Sequence, residues 1–352
     1  GGRDNTFGID GQVFPDLNVN LSTDETIHHC IPTNDGKLIL IGRLNTTGRK
    51  GAAFVARLNT NGTFDNTFGQ NGQLLVDLGS SLNRSLSVLI KPDGKILLGG
   101  TSSNYGNLFF FYFLPDGSLD PDFATNGIYL SERIYSFRII NGLALQEDGK
   151  VVTFGMHYMD NKEEIEVFRF NANGTPDSSF ALDRLHLLSN LLFESNEAYA
   201  GAVQPDQKII FCGTGYCSAY PSTNEGEVTL HRLNIDGSLD TTFGTNGSVF
   251  ADLGFLVHSS AIALQADGKI LMATIALSAN PYAFNFWLAR YNTDGSLDKT
   301  FGNGGKVKSP NYGGMMNTGN LLLDQDGKII YASIAEGKVV IWRYLNNIPE
   351  AP

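Results

Sequence analysis

Short apolar runs separated by glycine-containing turns recur along the whole chain. Between residues 86 and 130 the apolar runs are Leu86–Ile90, Ile96–Gly100, Leu108–Leu114 and Ile128–Leu130. Runs of this length that are rich in Ile, Leu, Val and Phe are typical of β-strands. The Asp-Gly pair between the first two runs predicts a tight antiparallel hairpin, because the turn needs residues that tolerate a positive φ. No segment shows sustained helical periodicity, so the pattern predicts an all-β chain.

Two markers show that this unit is repeated six times. The first is the hairpin turn Asp-Gly-Lys, which begins at Asp35, Asp93, Asp148, Asp206 (there as Asp-Gln-Lys), Asp267 and Asp326. The second, which we call the box, is Asp-x-x-Phe, and it begins at Asp4, Asp65, Asp120, Asp177, Asp240 and Asp298. A four-stranded sheet cannot bury both of its faces alone, so the six units must pack face to face. We therefore predict a six-bladed β-propeller with four antiparallel strands per blade, in a single domain over residues 1–352.

The two ends of the chain predict how the last blade is completed. Val339–Tyr344 matches the third strand of a unit, but the box that should follow it is missing there. A box stands instead at the N-terminus, where Val13 and Phe14 follow it. We expect residues 1–17 to complete the last blade with residues 318–346, with Val13 and Phe14 pairing with Val339–Tyr344. Such pairing would remove an open sheet edge.

The residues of these units carry a family resemblance. The line from Arg290 to Gly302, Arg-Tyr-Asn-Thr-Asp-Gly-Ser-Leu-Asp-Lys-Thr-Phe-Gly, resembles the delta-60 repeat family of bacterial proteins. The tandem units resemble the β-propeller domain of unknown function built from such repeats. They depart from the pattern at Gln207 and after Phe180, where Ala-Leu-Asp replaces the Gly-x-x-Gly ending. We expect the turn at Gln207 to be distorted, because glutamine tolerates a positive φ less well than glycine. The resemblance implies a propeller and a secreted, periplasmic or cell-surface location, but no established activity and no transferable catalytic residues.

Composition and missing motifs exclude several classes of function. Asp and Glu number 36 against 25 Lys and Arg, a formal charge of -11, which argues against a nucleic-acid groove. No apolar run reaches the roughly 18 residues of a membrane-spanning helix. The sequence carries no Cys-x-x-Cys, no His-Glu-x-x-His, no phosphate loop and no EF-hand loop. We therefore predict no metal and no cofactor, and we expect the propeller to be a monomer.

Residues that recur in every unit are expected to serve the fold. An arginine stands eight residues before the box aspartate in most units, as Arg57 does before Asp65, whereas Tyr112 replaces it in the second unit. We predict bidentate Arg–Asp pairing across the hairpin in the units that have the arginine. The box phenylalanines are predicted to be wedges between neighbouring blades.

The three cysteines allow two interpretations. Cys212 and Cys217 can form a disulfide if the chain is exported, and the other interpretation is two free thiols. Cys30 lies in a predicted innermost strand and is expected to be a core residue.

Function is expected where the units differ, in the connections of variable length at the end of each blade opposite the tight turns. Aromatic residues are concentrated there, and rings with a polar tip suit stacking against sugars or peptides. The leading hypothesis is a non-catalytic module that binds a glycan or a protein at this Tyr-rich loop face. Its candidate ligand-binding residues are Tyr105, Tyr158, Tyr216, Tyr220, Tyr282 and Phe284.

The alternative hypothesis is an enzyme. Arg84, Glu197 and His258 all stand nine residues before a hairpin aspartate, which places them at equivalent positions near the start of innermost strands. In a polysaccharide- or lactone-directed lyase or hydrolase at the channel mouth, His258 would be the general base, Glu197 its orienting partner and Arg84 an anion clamp. Solvated rim residues are the other interpretation of the same positions.

Overall fold

A computed structural model of the chain describes seventeen stretches of residues and contains strands and turns but no helix within them. The described residues are 6–9, 13, 24–33, 35–46, 49–76, 82–102, 107–131, 137–159, 162–180, 195–216, 226–251, 253, 255–279, 282–309, 319–324, 326–335 and 338–346. The chain divides into two compact units.

The first unit comprises residues 1–140 and 171–175 and contains two four-stranded antiparallel sheets, blades 1 and 2. Blade 1 consists of β1 (Asp24–Pro32), β2 (Leu38–Thr46), β3 (Arg49–Leu58) and β4 (Gln73–Val76). Blade 2 consists of β5 (Leu82–Ile90), β6 (Ile96–Ser102), β7 (Leu108–Phe113) and β8 (Ile128–Leu130). The strands of blade 2 match the sequence prediction closely, and β8 has the predicted bounds.

The second unit comprises residues 141–170 and 176–352 and contains most of blade 3 together with blades 4 to 6. Blade 3 consists of β9 (Phe137–Leu145), β10 (Val151–Met159) and β11 (Lys162–Phe170). Blade 4 consists of β12 (Ser195–Val203), β13 (Ile209–Tyr216), β14 (Gly226–Leu233) and β15 (Ser248–Ala251). Blade 5 consists of β16 (Phe255–Leu264), β17 (Ile270–Ala279), β18 (Tyr282–Tyr291) and β19 (Lys306–Lys308). Blade 6 consists of β20 (Asn320–Leu323), β21 (Ile329–Ala335) and β22 (Lys338–Tyr344).

The prediction of an all-β chain built from six antiparallel blades is confirmed, with three described strands in blades 3 and 6 and four in the others. Completion of the last blade by the N-terminus stays a prediction, because Phe14 lies outside the described residues. The N-terminal box nevertheless makes a contact typical of a box. The Gly8 N–H donates to the Asn61 carbonyl at 2.8 Å, just as Gly69 N–H in blade 1 donates to Asp116 of blade 2 at 2.8 Å.

Apolar side chains from neighbouring blades form the core. Between blades 4 and 5, Cys212, Leu230 and Phe243 pack with Ile270 and Met272. Each of these side chains is almost fully excluded from water. Burial of apolar surface at such blade contacts is the main favourable contribution to folding. Equivalent clusters join blades 1 and 2, blades 3 and 4, and blades 5 and 6.

Two local expectations are corrected. Cys30 is exposed and is not a core residue. The register of β1 against β2 shifts between Ile27 and His29, and such a bulge reverses which face the following side chains occupy. Gln207 does not distort its hairpin turn. It adopts a φ of 65°, and the turn keeps the hydrogen bond from Gln204 N–H to the Lys208 carbonyl at 2.8 Å that the glycine-containing turns also form.

Candidate functional site

The box aspartate accepts hydrogen bonds from two cations of its own blade. In blade 4, Asp240 Oδ2 lies 2.7 Å from Arg232 Nε and 2.8 Å from Lys208 Nζ. The Thr242 hydroxyl donates to Asp240 Oδ1 at 2.6 Å. Blades 1, 3 and 5 repeat the two ion pairs with Arg57 and Lys37 on Asp65, Arg169 and Lys150 on Asp177, and Arg290 and Lys269 on Asp298. The predicted Arg–Asp pairs are confirmed, but each arginine contacts one carboxylate oxygen through Nε and not both in the predicted bidentate form. The lysine was not predicted. Its signal was the Lys that stands two residues after every hairpin aspartate.

These carboxylates are held in the ionised form. Burial opposes the ionisation of Asp240, but hydrogen bonds from Lys208 and Thr242 and the charge of Arg232 outweigh it and keep the pKa of Asp240 well below its usual range. The pKa of Asp65, Asp177 and Asp298 is lowered in the same way. A carboxylate that stays ionised at neutral pH and is covered by two cations cannot serve as a general acid, so the box is structural.

In blades 1, 3, 4 and 5 the box arginine also donates to a backbone carbonyl beyond its own blade. Arg232 Nη1 donates to the Thr293 carbonyl of blade 5 at 2.5 Å, and Arg290 Nη1 donates to the Asn346 carbonyl at 2.7 Å. The guanidinium carbon of Arg232 lies 4.6 Å from the ring centre of Phe243. A side chain at Gly295 in the next blade would collide with that ring, so Phe243 fills the space below a glycine turn. The prediction that the box phenylalanines are wedges is confirmed at this contact.

Most of the predicted Tyr-rich loop face lies outside the described residues. Tyr105 and Tyr220 are not described, and nothing is described of the side chains of Tyr216, Tyr282 and Phe284. Tyr158 near the end of β10 is described and is 41% exposed. An exposed ring at this position fits the expectation for one residue of the six, and the role of the set stays a prediction.

Glu197 lies on β12 and is held by blade 3. Asn141 Nδ2 on β9 donates to Glu197 Oε1 at 2.9 Å and to the Ala198 carbonyl at 2.8 Å. The carboxylate is half-buried. His258 lies on β16, the innermost strand of blade 5, which packs beside β12, but its side chain is not described. The predicted Glu197–His258 pair is therefore untested, and Asn141 is a neighbour that sequence reasoning missed.

Arg84 lies on β5 in the other compact unit, and its side chain is also outside the described set. In the same unit, His29 lies on the innermost strand β1 and its side chain is described. Its Nε2 lies 2.9 Å from the Leu86 carbonyl. Burial lowers the pKa of His29, although the bond to Leu86 opposes the shift. Both His29 and Asn141 therefore connect one innermost strand to the backbone of the next.

A serine and a histidine meet in blade 4 without forming a catalytic pair. His231 Nδ1 lies 2.9 Å from Ser248 Oγ, a distance at which a base can activate a nucleophile. Both side chains are buried, His231 completely, so a substrate cannot reach them. Burial lowers the pKa of His231 to about 3, which keeps the ring neutral inside the blade. The pair is part of the packing against Phe211, whose ring centre is 5.1 Å away.

A second pair of titratable residues is also buried. His157 Nδ1 and Glu166 Oε1 lie 3.8 Å apart in blade 3, and both side chains are buried. Among the described residues no group of three or more His, Cys, Asp or Glu could hold a metal ion. The Cys212 thiol is buried and donates to the Ala200 carbonyl at 3.5 Å, while Cys217 is not described, so the disulfide is untested. No helix in the described stretches is long and apolar enough to cross a membrane.

Comparison with protein families returned one match. The family described as "Domain of unknown function (DUF5122) beta-propeller" matches residues 33–68, 91–123, 146–180, 204–243 and 265–301. Each matched segment begins near a hairpin turn and ends at a box phenylalanine, as 91–123 ends at Phe123. Comparison with curated proteins found no match.

Two solved structures share the fold at low identity. An alpha-L-arabinanase from Penicillium chrysogenum, complexed with arabinobiose, is 10% identical with a TM-score of 0.57, over 91% of this chain and 93% of that one. An alpha-L-arabinofuranosidase from Fusarium graminearum, complexed with an iminosugar inhibitor, is 10% identical with a TM-score of 0.53, over 91% of each chain. At this identity the likeness concerns the fold alone.

Proposed function

Since the chain belongs to the DUF5122 beta-propeller family, whose description leaves the activity open, we propose that it is a polysaccharide-directed lyase or hydrolase. Its site lies on the innermost strands of blades 3 to 5, and the Glu197 carboxylate is its central acid–base group. The observation that carries the proposal is the bond from Asn141 Nδ2 to Glu197 Oε1 at 2.9 Å.

Glu197 has a different donor from the box aspartates. The neutral amide of Asn141 donates to its carboxylate, whereas each box aspartate of blades 1, 3, 4 and 5 is contacted by an arginine and a lysine. A half-buried carboxylate with a neutral donor can exchange a proton with a substrate, and the rigid strands on either side fix its position. In this proposal Glu197 itself exchanges the proton, and His258 on the adjacent strand β16 would be the second acid–base group. The part of Arg84 as an anion clamp stays a prediction.

The substrate class follows from this chemistry and is supported by the fold. Cleavage of a glycosidic bond needs a carboxylate that gives a proton to, or takes one from, the sugar. The arabinanase and the arabinofuranosidase share the fold with this chain, which makes a carbohydrate the first substrate to try.

The test is an activity screen with matched variants. Wild-type protein would be incubated with arabinan and with polygalacturonate, and both reducing ends and unsaturated uronate products would be measured. Glu197→Gln is expected to lower product release by about a hundredfold or more. Glu147→Gln, which changes an exposed glutamate on the blade 3 hairpin, is the control and should leave it unchanged.

Asn141 is proposed as a positioning residue, and its test needs a second measurement. Asn141→Ala removes the amide that stabilises the ionised carboxylate, so the acidic limb of the pH–rate profile should move to higher pH. A uniform loss of activity with an unchanged profile would contradict the positioning role. Absence of product from both polymers, or equal activity of Glu197→Gln and wild type, would contradict the proposed function.

A second candidate is a module that binds a glycan or a protein at the Tyr-rich loop face. The exposed ring of Tyr158 favours it. Glycan-array and pull-down screening would compare wild type with a triple alanine variant at Tyr216, Tyr220 and Tyr282. Binding that the triple variant loses, without any product from the activity screen, would select this candidate. Equal behaviour of both proteins would exclude it.

The proposal includes the remaining expectations on architecture and location. Residues 1–17 complete the last blade, which is supported by the contact of Gly8 with Asn61. Removal of residues 1–17 should then increase hydrogen exchange of the amides in β22, and unchanged exchange would contradict completion.

The units are of the delta-60 type, and the protein is exported as a monomer to the periplasm, the cell surface or the medium. Cell fractionation that finds it in the cytoplasm would contradict export.

A further inference from the structure

A groove of about 520 Å³ lies between the hairpin turns of blades 1 and 2. Four isoleucines form its apolar walls: Ile31, Ile39, Ile90 and Ile96. Arg57 and Lys91 bring positive charge to it, and Asp35 and Asp93 bring negative charge to its edge. Its volume falls in the range of sites for small ligands and short peptide segments. It lies at the hairpin end of its blades, whereas Glu197 lies near the other end of β12.

The groove exists where the repeat pattern is broken. Two residues before the hairpin aspartate, blades 3, 4 and 5 carry a glutamine, at Gln146, Gln204 and Gln265. All three glutamine side chains are buried. Blade 1 carries Thr33 there, whose side chain is two heavy atoms shorter and reaches only Asp35 and the Lys37 carbonyl. The space that a glutamine fills in the other blades is left open beside Arg57.

The hydrogen bonds of the box arginine in blades 3 and 5 indicate which chemical group would fit that space. In blade 3, Arg169 Nη1 donates to the Ile235 carbonyl and also to Gln146 Oε1 at 3.3 Å. In blade 5, Arg290 Nη1 donates to the Asn346 carbonyl at 2.7 Å and to Asn346 Oδ1 at 3.0 Å. Both arginines therefore satisfy one backbone carbonyl and one carboxamide oxygen.

Arg57, like Arg232 of blade 4, makes the first of these bonds and lacks the second. Its Nη1 donates to the Pro115 carbonyl, its Nε to Asp65 and its Nη2 to Thr67. Among the described residues no carboxamide oxygen reaches it. The Arg57 side chain is 14% exposed and lines the apolar groove. A ligand that offers the guanidinium another hydrogen-bond acceptor would therefore be stabilised there.

We propose that this groove binds the glutamine side chain of a peptide segment, with the carboxamide oxygen on Arg57 Nη1 and the aliphatic stem against the four isoleucines. The ligand supplies the bond that Gln146 gives to Arg169 in blade 3, and its stem takes the place of the side chains of Gln204 and Gln265, which are buried in blades 4 and 5 without bonding the arginine. A neutral amide suits the site because the charge of Arg57 is already matched by Asp65 at 2.6 Å. The site is separate from the one proposed for Glu197 and does not depend on it.

The probe is N-acetylglutamine N-methylamide, titrated into full-length protein with isotope-labelled isoleucine methyl groups. The expected result is saturable NMR shifts at Ile31, Ile39, Ile90 and Ile96. N-acetylnorleucine N-methylamide has a side chain of similar length without the amide, and it should bind about tenfold or more weakly. Saturable binding of the norleucine compound with equal affinity would overturn the assignment to a carboxamide, and absence of saturable shifts would overturn the site.

Two variants at one position test the origin of the groove. Thr33→Gln installs the residue of blades 3, 4 and 5 and should weaken binding of the glutamine probe about tenfold or more. Thr33→Val keeps the volume of threonine and should bind as wild type does. Unchanged binding by a folded Thr33→Gln protein would contradict the proposal, as would its loss in Thr33→Val. The comparison of the two probes on wild-type protein decides the question even if Thr33→Gln does not fold.

Discussion

In blade 4, Arg232 and Lys208 both contact Asp240 Oδ2, whereas in blade 2 only Lys95 does, at 2.8 Å from Asp120 Oδ2. Tyr112 stands in the position of the arginine and packs its ring 4.8 Å from that of Phe123. The backbone of the box is nevertheless the same, since Asp120 N–H donates to Tyr112 as Asp240 N–H donates to Arg232. The lysine and the backbone are therefore sufficient for the local shape, and the arginine adds the link to the next blade.

The two blades differ at further matched positions. Nine residues before the box aspartate, blade 4 has His231 where blade 2 has Phe111, and both are buried. After the hairpin aspartate, blade 4 has Gln207 where blade 2 has Gly94, and both have a positive φ. At each of these positions the two blades differ in one side chain on the same backbone. A substitution in one blade can therefore be compared with the matched position of the other blade.

The largest expected effect is loss of the box carboxylate. Asp240→Asn leaves Arg232, which is 7% exposed, without its counter-charge, and should lower the free energy of unfolding by about 3–5 kcal/mol. Asp120→Asn leaves Lys95, whose side chain is 31% exposed and can be hydrated, so about 1–3 kcal/mol is expected. Urea denaturation followed by tryptophan fluorescence measures both. Equal losses would show that the arginine adds nothing to blade 4.

The next effect depends on pH. The pKa of His231 falls from 6.5 in the unfolded chain to about 3 in the folded protein because of its burial. The unfolded chain therefore binds the proton first as the pH falls, and stability is lost between those two values. His231→Phe, which copies Phe111, should remove up to about 1.4 kcal/mol per pH unit from the slope of unfolding free energy against pH.

A window of pH separates this effect from that of the box. The box aspartates have a folded pKa far below the ordinary value of 3.8, so their contribution is intact above that value and is lost only at lower pH. Between about pH 6 and pH 4 the difference in slope between wild type and His231→Phe therefore reports His231, since the contribution of His29 is common to both proteins. Parallel slopes for wild type and His231→Phe would contradict a buried neutral ring.

A smaller effect is expected from the lysines. Lys95→Met removes the cation that is bonded to Asp120, and should lower the free energy of unfolding by about 2 kcal/mol. Lys208→Met leaves Asp240 paired with Arg232 and should lower it by about 1 kcal/mol. The two lysines are 31% and 30% exposed, so solvent screening affects them alike. A larger loss of unfolding free energy for Lys208→Met than for Lys95→Met would contradict the proposal that the lysine matters more in the blade without the arginine.

The smallest effect concerns the hairpin turn. Gln207 has a φ of 65°, which is unfavourable for a residue with a Cβ, so Gln207→Gly should raise the free energy of unfolding by less than about 1 kcal/mol. The gain is limited because the bond from Glu147 N–H to Gln207 Oε1 at 3.2 Å is lost. Gly94→Gln is the matched control and should lower stability by about 1 kcal/mol. Opposite signs in the two melting temperatures are the expected outcome.

Local and periodic features were predictable from sequence. Strand β8 and the ion pair of Arg57 with Asp65 follow from turn chemistry and antiparallel register, which act within about ten residues. Contacts set by packing were not predictable. Asn141 reaches Glu197 across 56 residues, and nothing in either local sequence marks the partner. The exposure of Cys30 was missed because one bulge reverses the alternation of β1, and a bulge leaves no clear signal in an apolar run.

The link from the box arginine to the following blade has a consequence for synthesis of the chain. Arg57, Arg169 and Arg232 each donate to a backbone carbonyl that is encoded 58 to 66 residues later. During translation blades 1, 3 and 4 therefore each present a guanidinium whose acceptor has not yet been made. The turn of the following blade supplies that acceptor when it leaves the ribosome. These contacts between blades can therefore form only in the order in which the blades are translated.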